Sequence, residues 1–514
     1  MKATPLIILG LLGLANVCTI AQAPVRKFPQ VINRPNINVF APYISLDGNT
    51  LMFTSDFTND REFAVFYSMR ESVNWQEPRM MPRHINSALL FAKSYALSSD
   101  GQILYVTSNR SGTIGGYDIW SIPLKSNSAN DFQNFGNPIN TRSHEGAPSF
   151  SPDGNTMYFM RCEVMTQQRS DNCKILVARK EPNGRWGTPM ELPGHINTGN
   201  SQTPRIAADG ETLLFSSNQL QPNQGGMDLY MTRLTNGTWS NPLPLSFVNT
   251  KEDDQYVSFT SAGRYLVKDT QGALKREITE FLFPDDLRPK PVMRVEGRVL
   301  SEQLKPVSAY ITVTDVLRNE RVYAGRADAS GNYFIYIKAG SLYEVSLDPE
   351  QDNFTFATTV IDLQQSDFPL SQRFDFTMRQ VQDGDVIELH GIRFDDTGSS
   401  LHYGKTDLLQ LARLIRSVPE FEVVISLMTK RAAELSPADL NAADSLQANS
   451  NPQDTGDAAN RNDETTDRQK ATLTQELTRL GISPDQYRVD YSESIPSNKT
   501  DSEPAAVLVS IRRR

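Results

Sequence analysis

Five glycines stand at near-equal intervals along the first half of the sequence: Gly48, Gly101, Gly154, Gly210 and Gly263, spaced by 53, 53, 56 and 53 residues. The first four follow an aspartate: Asp47, Asp100, Asp153 and Asp209. Each Asp-Gly pair is a turn signal between two apolar runs. One example is Ala147 to Phe150, then Asp153-Gly154, then Met157 to Phe159. The runs are rich in β-formers and alternate, so each reads as a hairpin. A period near 50 residues, with about four short strands in each, is what a propeller blade requires. The spacing therefore predicts an all-β propeller of about five blades over residues 30–284.

Three further elements keep the same period. An aromatic-x-x-Pro element occurs at Trp75…Pro78, Phe135…Pro138, Trp186…Pro189 and Trp239…Pro242. An aliphatic-Asn pair recurs at Ile32-Asn33, Ile85-Asn86, Ile139-Asn140, Ile196-Asn197 and Val248-Asn249. Gly-Gly-x-Asp stands at Gly115 to Asp118 and at Gly225 to Asp228. Periodic recurrence favours a structural role over ligand binding, with the aromatic and Asn elements locking one blade to the next. The fifth repeat lacks the aromatic-x-x-Pro element, as a terminal repeat that closes the ring would. Ile32-Asn33 is expected beside the last blade. Ser151 to Phe159 and Gly225 to Tyr230 resemble TolB-type, WD-like propeller repeats, and most closely those of OmpA-family envelope proteins of Bacteroidetes.

Phe283 to Pro291 is rich in proline and charge and reads as a linker. Val295-x-Gly297-x-Val299, Ala309-x-Ile311-x-Val313 and Tyr333 to Ile337 then alternate as strands. Residues 292–380 resemble a carboxypeptidase regulatory-like β-sandwich, a module that acts as spacer or adhesive. From Val386 strands and helices alternate. Ile387 to Phe394 reads as a strand, Leu408, Leu411, Ala412 and Ile415 as a helical stripe, and Val423 to Leu427 as a strand. A second stripe at Leu473, Leu477 and Leu480 stops at Gly481, and two more strands follow.

This order over residues 386–514 resembles the α+β OmpA-like C-terminal domain, which binds peptidoglycan. The resemblance implies an Asp for the diaminopimelate amine, but Leu427 to Lys430 stands in that stretch. It also implies an Arg for the carboxylate, and Gln469 falls there. Arg468 and Asn462 match neighbouring family positions. Peptidoglycan binding is therefore expected to be weak or lost at a degenerate site of Lys430, Asn462, Arg468 and Gln469. Residues 431–466, polar and low in apolar content, are expected to be disordered.

The N-terminus reads as a secretory signal over residues 1–21. Lys2 provides the charge, Pro5 to Ile20 the apolar run, and Ala21 the cleavage position. Cys18 follows Val17 rather than a small residue, which argues against lipidation. With Cys18 removed, Cys162 and Cys173 remain, and in an oxidising compartment two cysteines read as a disulfide. The net charge of -9 argues against a nucleic-acid partner. No serine elbow, zinc helix or phosphate loop is present, and no cofactor or metal is expected. The sequence thus reads as a non-enzymatic envelope scaffold, periplasmic and outer-membrane associated. Its propeller would hold a protein partner. The alternative is a carbohydrate- or peptide-binding propeller acting as sensor or uptake accessory. The domain order resembles the peptidoglycan-associated propeller component of the type IX secretion machinery, although that family's N-terminal helical repeats are not found here.

Overall fold

The structure, a computed structural model, describes residues 25–56, 63–86, 91, 93–260, 263–365, 368–395, 397–428, 454–492 and 507–514. The signal segment, Lys430 and residues 431–453 lie outside these. The chain is mostly β-structure and divides into two compact units, the first ending at Arg288 and the second made of Pro289–Arg514 together with the turns Phe150–Asn155 and Ala208–Gly210.

The first unit contains five antiparallel sheets. Sheet one holds Val39–Ile44, Thr50–Ser55 and Ala64–Glu71, whose outer edge pairs with Asn74–Trp75 and Arg79–Met80. Sheet two runs Tyr95–Leu97, Ile103–Ser108, Asp118–Pro123 and Gln133–Asn134, and sheet three His144–Phe150, Thr156–Met165, Ser170–Arg179 and Met190–Glu191. Sheet four holds Ser201–Ile206, Thr212–Ser217 and Asp228–Thr235, edged by Thr238–Trp239 and Leu243–Pro244. Sheet five holds Ser258–Phe259, Tyr265–Gln271 and Arg276–Leu282, and its outer strand is the N-terminal Val25–Lys27.

The recurrent residues explain why one pattern repeats. All five Asp-Gly-type glycines have φ between 64° and 75°, a left-handed turn that only glycine adopts without strain. The recurrent asparagines act as backbone surrogates. Oδ1 of Asn33, Asn86, Asn140, Asn197 and Asn249 accepts the N–H of Ile278, Val65, Ile119, Ile175 and Leu229, at 2.8–2.9 Å. Each therefore ties the segment leaving, or entering, a sheet to that sheet's third strand. The aromatics work between sheets: Phe135 stacks on Trp186 and Tyr158 meets Trp239 edge-on. In Gly-Gly-x-Asp the glycines permit close approach. A Cβ on Gly116 would fall 2.1 Å from the His144 ring, and one on Gly226 the same distance from Asp253.

Hydrogen bonds between the first strands, or the residues leading into them, link the sheets in sequence. Tyr43 Oη donates to Leu97 O, Ala147 N to Ser94 Oγ, Ile206 N to Ser149 Oγ, and Gln255 Nε2 to Gln202 Oε1. Ile44 N donates to Ser258 Oγ, which returns the series from sheet five to sheet one.

In the second unit, Val292–Leu300 pairs with Asn332–Lys338 antiparallel and with Ser371–Arg373 and Phe376–Thr377 in parallel. A second sheet orders Glu320–Arg326, Ala309–Asp315, Leu342–Pro349 and Ala357–Asp362. Val295, Val299, Ile311, Val313, Ile335 and Leu347 fill the space between them.

The C-terminal lobe is a sheet ordered Val386–Leu389, Val507–Arg513, Phe421–Met428 and Tyr487–Ser492. Helices Lys405–Ser417 and Asp454–Arg479 bury Leu408, Leu411, Ile415, Leu473 and Leu477 with Val423, Ile425 and Val509. Phe356 and Val381, from the sandwich side, join this cluster. Two expectations are corrected here. The strand expected over Ile387 to Phe394 ends at Leu389, and Arg393–Phe394 pairs instead with Leu401–Tyr403. Residues 454–466 are helical, not disordered. They continue a helix whose apolar stripe lies further on, so low local hydrophobicity did not betray them.

Candidate functional site

The first strands of three sheets, and the segment leading into that of sheet five, each contain a non-glycine residue with positive φ: Ala41 at 51°, Ala147 at 49°, Thr203 at 49° and Tyr256 at 51°. Such a conformation costs roughly 1–2 kcal/mol per residue. It turns the backbone toward the neighbouring sheet: Ala41 N donates to Asp269 Oδ1 at 3.1 Å and Ala147 N to Ser94 Oγ at 2.7 Å. Sequence reasoning missed these positions because none is glycine. The available signal was the recurring dipeptide Ala41-Pro42, Ala147-Pro148 and Thr203-Pro204.

Between these strands lies a narrow passage. The Arg205 guanidinium sits 4.1 Å from the Tyr43 ring centre and donates to Ile44 O at 3.2 Å. Beside the passage, sharing Lys93 and Tyr256 with it, opens a cleft. Its walls come from the segments entering the first strands, with Lys93, Gln202, Asp253 and Gln255, and from the Thr166–Asp171 turn, with Gln168 and Arg169. Phe91 and Tyr256, ring centres 6.4 Å apart, provide its apolar surface. Two of its four charged side chains are paired, Arg169 with Asp171 at 3.2 Å, and Asp253 accepts Met227 N–H at 2.9 Å. Lys93 instead lies 5.9 Å from the Phe40 ring centre, and burial lowers its pKa. Amide side chains dominate, which suits hydrogen bonding to an uncharged polar ligand such as peptide backbone or sugar hydroxyls.

Of the residues singled out in the C-terminal lobe, Arg468 and Gln469 are described with their side chains. Lys430 lies outside the described residues, and Asn462 is placed only as backbone within the Asp454–Arg479 helix. Arg468 is exposed and pairs with Glu464 one turn earlier at 3.2 Å. Gln469 packs on the turn before Leu401: a Cβ on Gly398 would come within 2.9 Å of its Cγ. Neighbouring helix residues point about 100° apart, so Arg468 and Gln469 address different surroundings.

Cys162 and Cys173 face each other across the two long strands of sheet three and are joined, with S–S 2.05 Å and Cα–Cα 4.0 Å. They lie within those strands rather than at their ends. Among the described residues no three His, Cys, Asp or Glu side chains group as metal ligands. His144 is structural: its Nδ1 accepts Tyr117 N–H at 3.1 Å. No helix of the described residues is long and apolar enough to cross a membrane.

No protein family profile matches this chain, and no curated protein does. Among solved structures, a TolB candidate of Agrobacterium tumefaciens is similar over 59% of this chain and 91% of its own, at 14% identity and TM-score 0.30. An α-L-arabinofuranosidase from Lactobacillus brevis is similar over 51% of this chain and 94% of its own, at 14% identity and TM-score 0.33. An endo-arabinanase from Bacillus licheniformis covers 49% and 97%, at 16% identity and TM-score 0.33.

Proposed function

We propose that this chain is a non-enzymatic scaffold of the cell envelope. A leader over residues 1–21 exports it to the periplasm, where it associates with the outer membrane. The first unit is a five-bladed, TolB-like propeller, and its cleft receives an extended segment of a protein partner. The sandwich is a carboxypeptidase regulatory-like spacer. The OmpA-like lobe faces the cell wall or outer membrane with little affinity for peptidoglycan. The order of the parts fits a component of the type IX secretion machinery.

The observation that carries this reading is the cleft itself: amide-lined, with a small aromatic surface, and close to the Arg205–Tyr43 contact. Backbone amides of a bound segment would find donors and acceptors there without a charge match. The same amides favour one second reading, a carbohydrate ligand. Photo-crosslinking from Gln168, in the cleft, against Leu274, an exposed control on sheet five, tests both. A discrete protein adduct from position 168 alone is the expected result. Equal adducts from both positions, or none from 168, would remove the partner-binding reading.

A further inference from the structure

Within the second unit the sandwich and the C-terminal lobe meet along a polar seam. Strand Leu342–Pro349 presents Glu344, Ser346 and Asp348, alternate residues on one face. Helix Lys405–Ser417 answers with Asp407, Gln410 and Arg413, spaced three apart along one face. One end of the seam is a matched pair, with Arg413 Nη2 2.9 Å from Asp348 Oδ1. The other end sets two acids against each other. Glu344 is 2% exposed and Asp407 not at all. Glu344 Oε1 accepts the Asp407 backbone N–H at 3.2 Å, and both carboxyl groups lie within 2.9 Å of the point where a Cβ on Gly391 would stand. Gly391 closes over them: its N–H donates to Asp407 Oδ2 at 2.9 Å, and a Cβ there would lie 2.8 Å from Glu344 Cδ.

The surrounding charges do not neutralise the pair. Arg413 is engaged with Asp348 and lies near Asp352, and His390, beside Gly391, pairs with Glu388. Lys405 opens the helix, and Asp315 on the adjoining strand pairs with Arg318. Among the described residues no lysine or arginine is ion-paired with Glu344 or Asp407. Two carboxylates in contact, out of water, cannot both ionise without strong repulsion, but they form a short bond when they share one proton.

We propose that Glu344 and Asp407 form a proton-operated latch: with a proton shared between them the Lys405–Ser417 helix is held to the sandwich, and its loss loosens the two lobes. Burial first, and then the adjacent Asp407, raises the Glu344 carboxyl to about 8, and burial raises Asp407 as well. The sign follows from linkage. The folded pair binds protons more tightly than the unfolded chain. Its contribution is therefore full below the ordinary carboxyl range, declines as pH rises, and is gone above about pH 8.

Amide hydrogen exchange on the full chain tests this, read as protection relative to the intrinsic rate at each pH. Between about pH 6 and about pH 9, protection over residues 342–349 and 405–417 is expected to fall roughly tenfold or more. Glu344→Gln, which supplies a permanent donor, should abolish most of that fall, and Asp407→Asn should act alike if the first variant folds poorly. Unchanged protection in the unsubstituted chain would overturn the latch. So would a fall that persists in both variants, or one shared equally by the first unit.

Discussion

Asn140 does the work of a strand with one side chain. Its Oδ1 accepts from Ile119 N at 2.9 Å and its Nδ2 donates to Ile119 O at 2.8 Å, in a site that is 1% exposed. Asn140→Ala would strand two buried backbone groups. An unmade buried hydrogen bond costs about 1–3 kcal/mol, so a loss of roughly 2–4 kcal/mol in urea unfolding is expected, against under about 0.5 for the exposed Asn130→Ala. This residue class was legible in the sequence because the asparagine recurs with the repeat. What each amide bonds was not: it was read as a link between blades, whereas it serves its own sheet. Ala41, Ala147, Thr203 and Tyr256 stayed hidden for another reason. Their positive φ is imposed by contacts with the neighbouring sheet, and side-chain type alone does not announce it.

Sheet three shows how an element gains from a covalent tie. Cys162 and Cys173 are 11 positions apart and buried in directly opposed positions of the longest hairpin. Closing so short a loop restricts the unfolded chain modestly, so replacing both cysteines with alanine should cost about 2–3 kcal/mol in denaturant unfolding. A change under about 0.5 kcal/mol would show that the strands alone set the hairpin's stability. The alternating runs mark which stretches become strands but understate their length: the run Met157 to Phe159 is part of a strand that spans Thr156–Met165. The Asp454–Arg479 helix shows the opposite limit. Its second half carries the readable stripe Leu473, Leu477, while its first half rests on helix continuation, which leaves no hydrophobic period to read.

At the scale of the whole molecule, the proposed weak hold of the C-terminal lobe on the cell wall can be tested directly. Gln469 packs on the turn at Gly398, and Arg468 is exposed beside Glu464, so neither residue offers a buried guanidinium to a carboxylate. Charge-assisted bonds are worth about 1.5–3 kcal/mol each. The full chain should therefore bind purified sacculi about a hundredfold more weakly than a Lys430→Asp, Gln469→Arg variant, read by cosedimentation with free diaminopimelate as competitor. Strong, competable binding by the unsubstituted chain would contradict this. The seam between the sandwich and this lobe could not be read from the sequence at all. Glu344 and Asp407 are 63 positions apart and belong to elements whose own periodicities are ordinary.

The closure of sheet five carries one more consequence. Val25 pairs with Phe281, and Asn33 bonds Ile278 across 245 positions of chain. Whether at a ribosome or at an export channel, the first partner emerges long before the second. Until the second arrives, the nascent chain holds an unmatched strand at each extremity, the kind of edge that other chains can capture. Completion is a single long-range encounter late in the chain's emergence, the class of event that makes all-β proteins slow to fold. The fold is thus fastened last by its earliest residues, and anything that occupies residues 25–33 in the meantime governs when the first unit can become whole.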